Sequence, residues 1–590
     1  MKSEKSEKKG IRCPFDKKEM SFWLVLFFFG LIISSVAFLP YVNYGHDLYV
    51  HIGRIYGIRE GLLNGELFIK LQENWLQGYG YLIGVFYGDF LLYYPAVLNI
   101  LGIPMHHCYQ IFIITMNMLT LFVSYHCFKK MFKNNYIGLL GAMLYGGNVY
   151  RLIDVYLRTS VGEYCAFLFF PVIVYGFYKV FSADEQDKKN NNAWILLSVS
   201  FAGLVNTHIL SCEMVAIFVL LFLLFRITQF RKIRVIEQAV TTLLSTLLLS
   251  ASFVIPFLDF MMTGGTYVTD ASRNDFSLNE RGISLAQLFE LFPNADGISR
   301  PIGESIGYEM PLNIGLGMTI ALFCAIFVFS IVPGRFKEKK LILYIVLSVL
   351  SLWMATAYFP WDTLRNLPML ENAISSIQFP WRFLAPACIF VTLAFCESLV
   401  VAQKTEYRKY CVQAGIAILF LCLISSVYLM NGVAKKNTMI NVNPEGQRGF
   451  MTTGGEYLPI GTDTRLLDGA YHVSNDAVQL TDYIKDGTNI EFNICTSEDV
   501  SVELPLLYYK YYRCYSDNKE FEIFGGNNNV VTVKIPGGTD ERIYISYEVP
   551  VFWKISYAVT TVSCIAVAVI YLIGIFKSRR KKTVSPVKEG

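Results

Sequence analysis

Long apolar runs separated by short polar connections dominate the hydropathy pattern of this chain. Twelve of these runs are candidates to cross the roughly 30 Å hydrocarbon core of a membrane. They lie at residues 22–39, 109–128, 136–150, 164–181, 194–206, 214–227, 240–257, 310–332, 341–357, 383–401, 412–430 and 555–576. The pattern therefore predicts a mainly helical fold, a polytopic transmembrane bundle of about twelve spans.

A thirteenth apolar run, at residues 82–101, contains Gly84, Gly88, Asp89 and Pro95. If it crossed the membrane, Lys129 and Lys130 would fall outside and Arg151 to Arg158 inside. If it lies at the surface, the basic connections between the later spans fall on the side of the N-terminus. The positive-inside rule therefore favours twelve spans with both termini cytoplasmic. The run itself is then an amphipathic element on the outer surface.

This topology divides the chain into a transmembrane domain and an outer β-rich domain. Between Tyr457 and Tyr547, apolar and polar residues alternate between turn signals, which predicts a small extracytoplasmic β-sandwich of roughly a hundred residues. The predicted parts are a basic cytoplasmic N-terminus at 1–21, the transmembrane domain at 22–433 with outer loops at 42–107, 259–309 and 358–382, the β-rich domain at 434–551, a final span at 552–576 and a basic cytoplasmic tail at 577–590.

Composition supports a membrane protein and narrows its chemistry. Hydrophobic residues make up 54% of the chain, charged residues 17%, and the mean hydropathy is +0.41. The net charge of +4 gives no reason to expect a nucleic-acid partner. The sequence has no phosphate-binding loop motif and no zinc-protease motif, which disfavours an ATP-driven pump and a metalloprotease. Cys495 and Cys514 fall in the β-rich region, where a disulfide and two free thiols remain open alternatives.

The first outer loop opens with an ionisable motif, Tyr44-Gly-His-Asp-Leu-Tyr-Val-His-Ile-Gly-Arg54. Asp47, His51 and Arg54 are spaced i, i+4, i+7, so a helix here places them on one face. In the functional interpretation Asp47 is a general base or metal ligand, while Arg54 and His51 hold a phosphate. The alternative is a surface helix whose polar face meets water. The loop also holds many aromatic residues, Tyr87 among them, which are good walls for sugar or lipid.

Further ionisable residues fall on the same predicted side of the membrane. Asp154 and Arg158 are again spaced i, i+4, and Glu163 begins the next span, where ionisable groups are costly unless paired or functional. A plain ion pair that closes the loop is the alternative. His208 lies where two spans meet. Arg382 leads into a span, where it either grips a phosphate or anchors the helix at the interface.

These features resemble the GT-C superfamily of membrane glycosyltransferases, in which a large, acidic first outer loop precedes many spans and a terminal outer domain. Short motifs also resemble the bacterial YfhO-like and pyruvoyl-tetrahydropterin-synthase-related membrane proteins. The motifs are Gly45-His-Asp-Leu-Tyr-Val-His-Ile-Gly-Arg54, Tyr93-Tyr-Pro95, Tyr150-Arg with Asp154, Tyr156-Leu-Arg158 and Gly162-Glu163, Thr207-His208, Gln378-Phe-Pro-Trp-Arg382, Glu456-Tyr-Leu-Pro459 and Leu504-Pro-Leu-Leu-Tyr-Tyr-Lys510.

The resemblance implies an inverting glycosyltransferase that moves a sugar from a polyprenyl-phosphate donor to an extracytoplasmic acceptor, a cell-envelope polymer, glycolipid or protein. It implies that Asp47 is the catalytic base. A divalent metal, if one is used, would be held by Asp47 and Asp89. The resemblance also implies phosphate or substrate binding by Arg54, Arg158, Arg382, His51 and His46, supported by Asp154, Glu163, His208 and Asp89.

Two other classes of function fit the same sequence. One is a transporter or flippase of a lipid-linked saccharide, and the other is a non-catalytic scaffold that recruits enzymes of the cell envelope. The sequence does not name the sugar or the acceptor, because specificity depends on the geometry of the site rather than on the fold.

Overall fold

The structure is a computed structural model, and it describes residues 17–181, 193–270, 277–293, 310–436, 439–442, 452 and 455–583. The chain is mainly helical, as predicted. In chain order the helices are α1 Lys17–Ile33, α2 Leu48–Leu63, α3 Ile83–Phe86, α4 Tyr93–Ile100, α5 Met105–Phe132, α6 Asn135–Gly146, α7 Val149–Ile153, α8 Val161–Ala166, α9 Phe170–Phe181, α10 Ala193–Val205, α11 Ile209–Phe225, α12 Ile233–Thr263, α13 Leu285–Leu288, α14 Gly315–Ile331, α15 Lys339–Met354, α16 Trp361–Arg365, α17 Glu371–Ser375, α18 Leu384–Ala402, α19 Cys411–Lys435 and α20 Val551–Thr583.

Helices coincide with all twelve apolar runs, but their lengths differ. Six of the helical segments in the described residues are long and apolar enough to cross a membrane: Met105–Phe132, Val161–Phe181, Ile233–Thr263, Pro380–Ala402, Glu406–Lys435 and Val551–Gly574. The other predicted spans coincide with shorter helices. For example, α10 has 13 residues and is about 20 Å long at 1.5 Å per residue. The count of twelve spans therefore stays a prediction.

The run at 82–101 is not one continuous helix. It forms the short helices α3 and α4, and Tyr87 between them is in an extended conformation with φ −124° and ψ 123°. The adjacent Gly88 packs directly against the peptide between Asn206 and Thr207. This stretch therefore folds back onto the connection between α10 and α11 instead of crossing the bundle.

The predicted β-sandwich is present near the C-terminus as two four-stranded antiparallel sheets, ordered β4-β5-β10-β7 and β3-β6-β9-β8. Phe492, Val502, Val533 and Ile543, from both sheets, are fully buried in a shared core. The strands are β3 His472–Val473, β4 Thr481–Asp486, β5 Asn489–Thr496, β6 Val500–Leu507, β7 Tyr512–Tyr515, β8 Ile523–Gly525, β9 Val530–Ile535 and β10 Thr539–Tyr547, while β1 Val42–Asn43 and β2 Met439–Ile440 form a separate two-stranded sheet.

The two cysteines of the sandwich are free thiols. Cys495 lies on β5 and Cys514 on β7, and β10 runs between these strands. Two strand spacings separate them by about 9.5 Å in the hydrogen-bonding direction alone, which is beyond the reach of a disulfide. Of the two alternatives left open by the sequence, the structure has the free thiols.

The sandwich packs onto the segment between α2 and α4. The backbone N–H of Leu507 donates to the carbonyl of Tyr79 at 2.9 Å, and Lys485 Nζ donates to the carbonyl of Gly78 at 2.9 Å. The rings of Phe86 and Tyr457 stack with centroids 4.9 Å apart. Because these contacts surround residues 78–86, the sandwich supports the loop that carries Tyr87, an association the hydropathy pattern did not predict.

Candidate active site

Asp47 is the residue immediately before the first turn of α2, so the predicted helix begins where the acidic residue stands. Its backbone N–H donates to the carbonyl of Arg158 at 3.0 Å, and the N–H of His46 donates to the carbonyl of Leu157 at 3.3 Å. These bonds fix the start of α2 against the connection between α7 and α8. The Asp47 carboxylate is half-buried, does not cap its helix and makes no hydrogen bond or ion pair within the described residues.

Burial is the largest influence on Asp47 and raises the pKa of its carboxyl above 3.8. The positive charges of Arg158 and Arg382, together with His46, act in the opposite direction and lower this pKa, while the carboxylate of Glu163 raises it. The net shift is upward. A free carboxylate whose pKa is shifted toward neutrality is suited to accept a proton.

Arg54 is fully buried and its guanidinium is engaged inside the protein. Nε and Nη2 donate to Asp89 Oδ1 at 2.9 and 2.6 Å, and Nη2 also donates to the carbonyl of Gly88 at 2.6 Å. Its Cζ lies 3.9 Å from the centre of the Tyr87 ring. The Arg54 guanidinium therefore binds the loop at residues 87–89, whereas the sequence predicted that it would bind phosphate.

His51, on α2, is also buried, and its ring faces the start of α8. Its Nδ1 is 3.1 Å from Arg54 Nη1, and its Nε2 is 3.3 Å from the backbone N of Val161. Burial, with the charge of Arg54, lowers the pKa of His51 well below 6.5, so the ring is neutral near pH 7. A neutral imidazole accepting from Arg54 orients the guanidinium and does not add positive charge to the site.

Arg158 joins the two acidic residues of the second motif. It ends a π-helical turn, Asp154–Arg158, and its Nη1 donates to Asp154 Oδ1 at 2.5 Å and to Glu163 Oε2 at 2.7 Å. The hydroxyl of Tyr150 donates to Glu163 Oε1. The predicted i, i+4 ion pair between Asp154 and Arg158 is therefore present. Glu163 completes this buried cluster, in which both carboxylates already accept hydrogen bonds from Arg158.

Arg382 approaches the same cluster from the start of α18. Its Nη1 donates to the carbonyl of Ile377 at 3.3 Å and to Gln378 Oε1 at 3.2 Å. Its Nε lies 3.9 Å from Glu163 Oε2 and has no hydrogen-bond partner among the residues that the structure describes. Arg382 therefore keeps a buried donor for a further acceptor.

Tyr87 lies at the centre of the site. Its ring centroid is 5.8 Å from that of His51 and 6.0 Å from that of His208. A Cβ on Gly162 would come within 2.5 Å of the Tyr87 hydroxyl and 2.7 Å of His208 Cδ2, so only glycine fits beneath both side chains. The sequence analysis listed Tyr87 only as one of the aromatic residues that could pack against a sugar or lipid. Its position two residues before Asp89 was the one signal in the sequence that it lies at the centre of the site.

His208 comes directly before α11, and its Nδ1 is 2.8 Å from Ser211 Oγ. Burial, reinforced by the charge of Arg382, lowers the pKa of His208 to about 3. The imidazole is therefore neutral near pH 7. It packs beside Tyr87 as a wall of the site.

The acidic residues do not converge as a divalent-metal site would require. Asp89 Oδ1 already accepts two bonds from Arg54, which neutralises the carboxylate that was to share a metal with Asp47. In the described ranges, no three His, Cys, Asp or Glu side chains are grouped so that they could hold a metal ion. The donor set therefore does not fit a divalent metal ion.

Comparison with known proteins gives one full-length sequence relative. No protein-family model matches the chain. An uncharacterized protein of Lactococcus lactis subsp. cremoris (strain MG1363) is 22% identical over 637 residues, which cover 98% of this chain and 99% of that protein.

The chain is also distantly similar to solved membrane enzymes. The apo oligosaccharyltransferase of Archaeoglobus fulgidus has a TM-score of 0.43 and 14% identity over 72% of this chain and 56% of that chain. The arabinofuranosyltransferase AftD from Mycobacteria has a TM-score of 0.43 and 10% identity over 72% and 27%. ArnT from Cupriavidus metallidurans, bound to undecaprenyl phosphate, has a TM-score of 0.33 and 12% identity over 71% and 75%.

Proposed function

We propose that this chain is an inverting glycosyltransferase that moves a sugar from a polyprenyl-phosphate donor to an extracytoplasmic acceptor. The acceptor class is a cell-envelope polymer, a glycolipid or a protein. The observation that carries the proposal is the half-buried Asp47 carboxylate, which is free of bonds in the described residues and lies in the electrostatic field of Arg158 and Arg382. A base and a cationic leaving-group site are the two parts that this displacement needs.

In the proposed reaction Asp47 accepts the proton of the acceptor hydroxyl as its oxygen attacks the anomeric carbon. The bond between that carbon and the phosphate oxygen breaks, and its electron pair leaves with the polyprenyl phosphate. Attack from the face opposite the leaving group inverts the anomeric centre. A positioned base typically contributes about 10²–10⁴-fold to such a rate.

Arg382 is the residue best placed to stabilise the charge that develops on the departing phosphate, because its Nε, 3.9 Å from Glu163 Oε2, has no hydrogen-bond partner in the part of the chain that the structure describes. Arg158 adds positive charge beside it, although its Nη1 is shared between Asp154 and Glu163. Preorganised donors in a partly dry site stabilise such charge without reorganising during the reaction.

Arg54, His51 and Asp89 take a positioning role in this proposal. Arg54 is bonded to Asp89 and stacked on Tyr87, and His51 lies between Arg54 and α8. Together they hold the Tyr87 ring beside the substrate region, where an aromatic face can pack on a sugar. His46 is exposed near Asp47 and is a candidate to contact the substrate from the solvent side.

The test compares Asp47→Asn with Asp476→Asn in a strain that lacks the chain, at matched membrane abundance. Asp476 is an exposed acid in a turn of the sandwich region, so its substitution removes the same charge far from the site. Mass spectrometry of envelope polymers, glycolipids and proteins should show loss of one sugar decoration with Asp47→Asn and its retention with Asp476→Asn. A decoration retained in both variants would remove Asp47 from the mechanism and favour the transporter or scaffold.

A further inference from the structure

An apolar cavity of about 360 Å³ lies in the half of the helical bundle away from Asp47. Its walls come from α9, α11, α15 and α18, with Phe177, Phe222, Leu343 and Phe390 among the lining side chains. Along α11 it extends from Val215 to Arg226, eleven residues and therefore about 17 Å at 1.5 Å per residue. The volume and the mainly apolar lining of this cavity suit a hydrocarbon chain.

Two cations line the end of this cavity that is farthest from Asp47. Arg226 follows the last residue of α11, and Lys340 lies in the first turn of α15. They face aromatic rings, Phe222 at 5.7 Å and Tyr178 at 5.5 Å, and neither forms an ion pair across the described ranges. Glu397 interacts electrostatically with Lys340 without forming an ion pair with it, and Lys404 and Glu338, which pair with each other at 3.4 Å, lie in the same neighbourhood.

An aromatic layer separates the cavity from the candidate active site. Phe383, the residue after Arg382, is fully buried; its ring lies 6.2 Å from that of Phe218 and is stacked on Trp361 at 5.2 Å. Phe218 in turn contacts Phe390, which lines the cavity, at 4.9 Å. The polar groups that meet the cavity are therefore at its far end and not at the end near Arg382.

We propose that this cavity binds an acyl chain of an anionic phospholipid, with the lipid phosphate on Arg226 and Lys340. The lipid would come from the leaflet opposite the face that carries Asp47. An apolar slot that ends in two cations complements a hydrocarbon chain that ends in an anion. A polyprenyl-phosphate donor at Arg158 and Arg382 would have its phosphate at the other end of the bundle. This lipid site is additional to the proposed glycosyl transfer and does not depend on it.

The test is native mass spectrometry of the full-length protein in detergent, titrated with phosphatidylglycerol or with zwitterionic phosphatidylcholine. The wild-type protein should retain phosphatidylglycerol in preference to phosphatidylcholine. Each cation near a phosphate contributes about 1 kcal/mol, so Arg226→Gln with Lys340→Gln should weaken phosphatidylglycerol binding about 30-fold. Val219→Trp, which fills the cavity, should abolish retention of both lipids.

The matched control is Arg231→Gln with Lys339→Gln, which removes two charges from the same end of the bundle without changing the cavity lining. It should leave phosphatidylglycerol binding within about twofold of wild type, since charges that do not reach the phosphate contribute little. Equal binding of the two lipids by wild type would overturn the proposal. The proposal would also be overturned if the control pair weakened phosphatidylglycerol binding as much as Arg226→Gln with Lys340→Gln. It would be overturned as well if Val219→Trp left lipid retention unchanged, or if that substitution displaced a polyprenyl phosphate rather than a phospholipid.

Discussion

Arg54 and Asp89 form a buried ion pair that connects α2 to the segment between α3 and α4, 35 residues later in the chain. Two guanidinium nitrogens of Arg54 reach the same carboxylate oxygen, at 2.9 and 2.6 Å, and the side chains are 0% and 8% exposed. Tyr87 packs on the face of that guanidinium. The pair therefore determines where the central aromatic ring of the site lies.

Replacing Arg54 by Gln should destabilise the protein strongly. The change leaves the buried Asp89 carboxylate without its counter-ion, and breaking a buried pair in this way costs about 3–5 kcal/mol. Denaturant unfolding in detergent measures the loss. Because Asp89→Asn removes the uncompensated charge, the double variant should recover a large part of the stability lost by Arg54→Gln.

The control for this cycle is Arg59→Gln on the same helix. Arg59 pairs with Glu60 near the surface, where the two side chains are 24% and 26% exposed, and such pairs contribute about 0–1 kcal/mol. Additive effects of Arg54→Gln and Asp89→Asn, with no recovery in the double variant, would show that the two side chains do not depend on each other.

Gly88→Ala should destabilise the loop through backbone overlap. A Cβ at this position would overlap the carbonyl group of Asn206 and lie 2.8 Å from the backbone N of Thr207, and a backbone cannot move aside as a side chain can. Overpacking of this kind costs about 1–3 kcal/mol. Thermal unfolding measures the effect. Gly525→Ala is the control, since its nearest neighbour is a Tyr508 ring atom at 3.3 Å; equal destabilisation by the two changes would contradict the prediction.

Much of the local structure could be predicted from the sequence. The apolar runs located the helices, and the i, i+4, i+7 spacing correctly placed Asp47, His51 and Arg54 at the start of one helix. The alternation between Tyr457 and Tyr547 predicted the sandwich. These signals are local, because helix and strand periodicity depend on neighbouring residues.

The partners of the charged residues could not be predicted, because they are brought together by the folded chain. The residue spacing alone predicted that the Arg54 guanidinium would be free to bind a phosphate. In the structure, its N–H groups donate instead to Asp89 and to the carbonyl of Gly88. The docking of the sandwich on Tyr79 likewise joins segments about four hundred residues apart, as the 390-residue separation of the Gly469 and Tyr79 bond shows. Such contacts leave no periodic pattern in the chain.

Asp259→Asn should loosen the attachment of the sandwich to the helical bundle. Asp259, near the end of α12, accepts from Lys510 Nζ at 2.7 Å, from the Tyr511 hydroxyl at 2.8 Å and from Trp553 Nε1 at 3.1 Å. An amide removes the charge that strengthens these bonds, each worth about 1.5–3 kcal/mol when charged.

Hydrogen exchange along β7 measures this effect, and Asp259→Asn should speed it. The comparison variant is Glu522→Gln, which breaks an exposed pair with Lys534 whose side chains are 64% and 54% exposed, and it should leave β7 unchanged. Unaltered protection of β7 in Asp259→Asn would mean that the sandwich is held by its contacts with the first loop instead.

Stability should fall as the pH drops below about 6.5, in part because of His208. Its pKa is about 3 in the folded chain and near 6.5 when unfolded, so the unfolded state binds the proton more readily. The stabilisation is fully present above pH 6.5 and is lost on acidification, by about 1.4 kcal/mol per pH unit until the folded pKa is reached. His208→Gln should therefore lose about 2 kcal/mol less than wild type between pH 6.5 and pH 5 in denaturant unfolding. Parallel curves for wild type and His208→Gln would contradict the prediction.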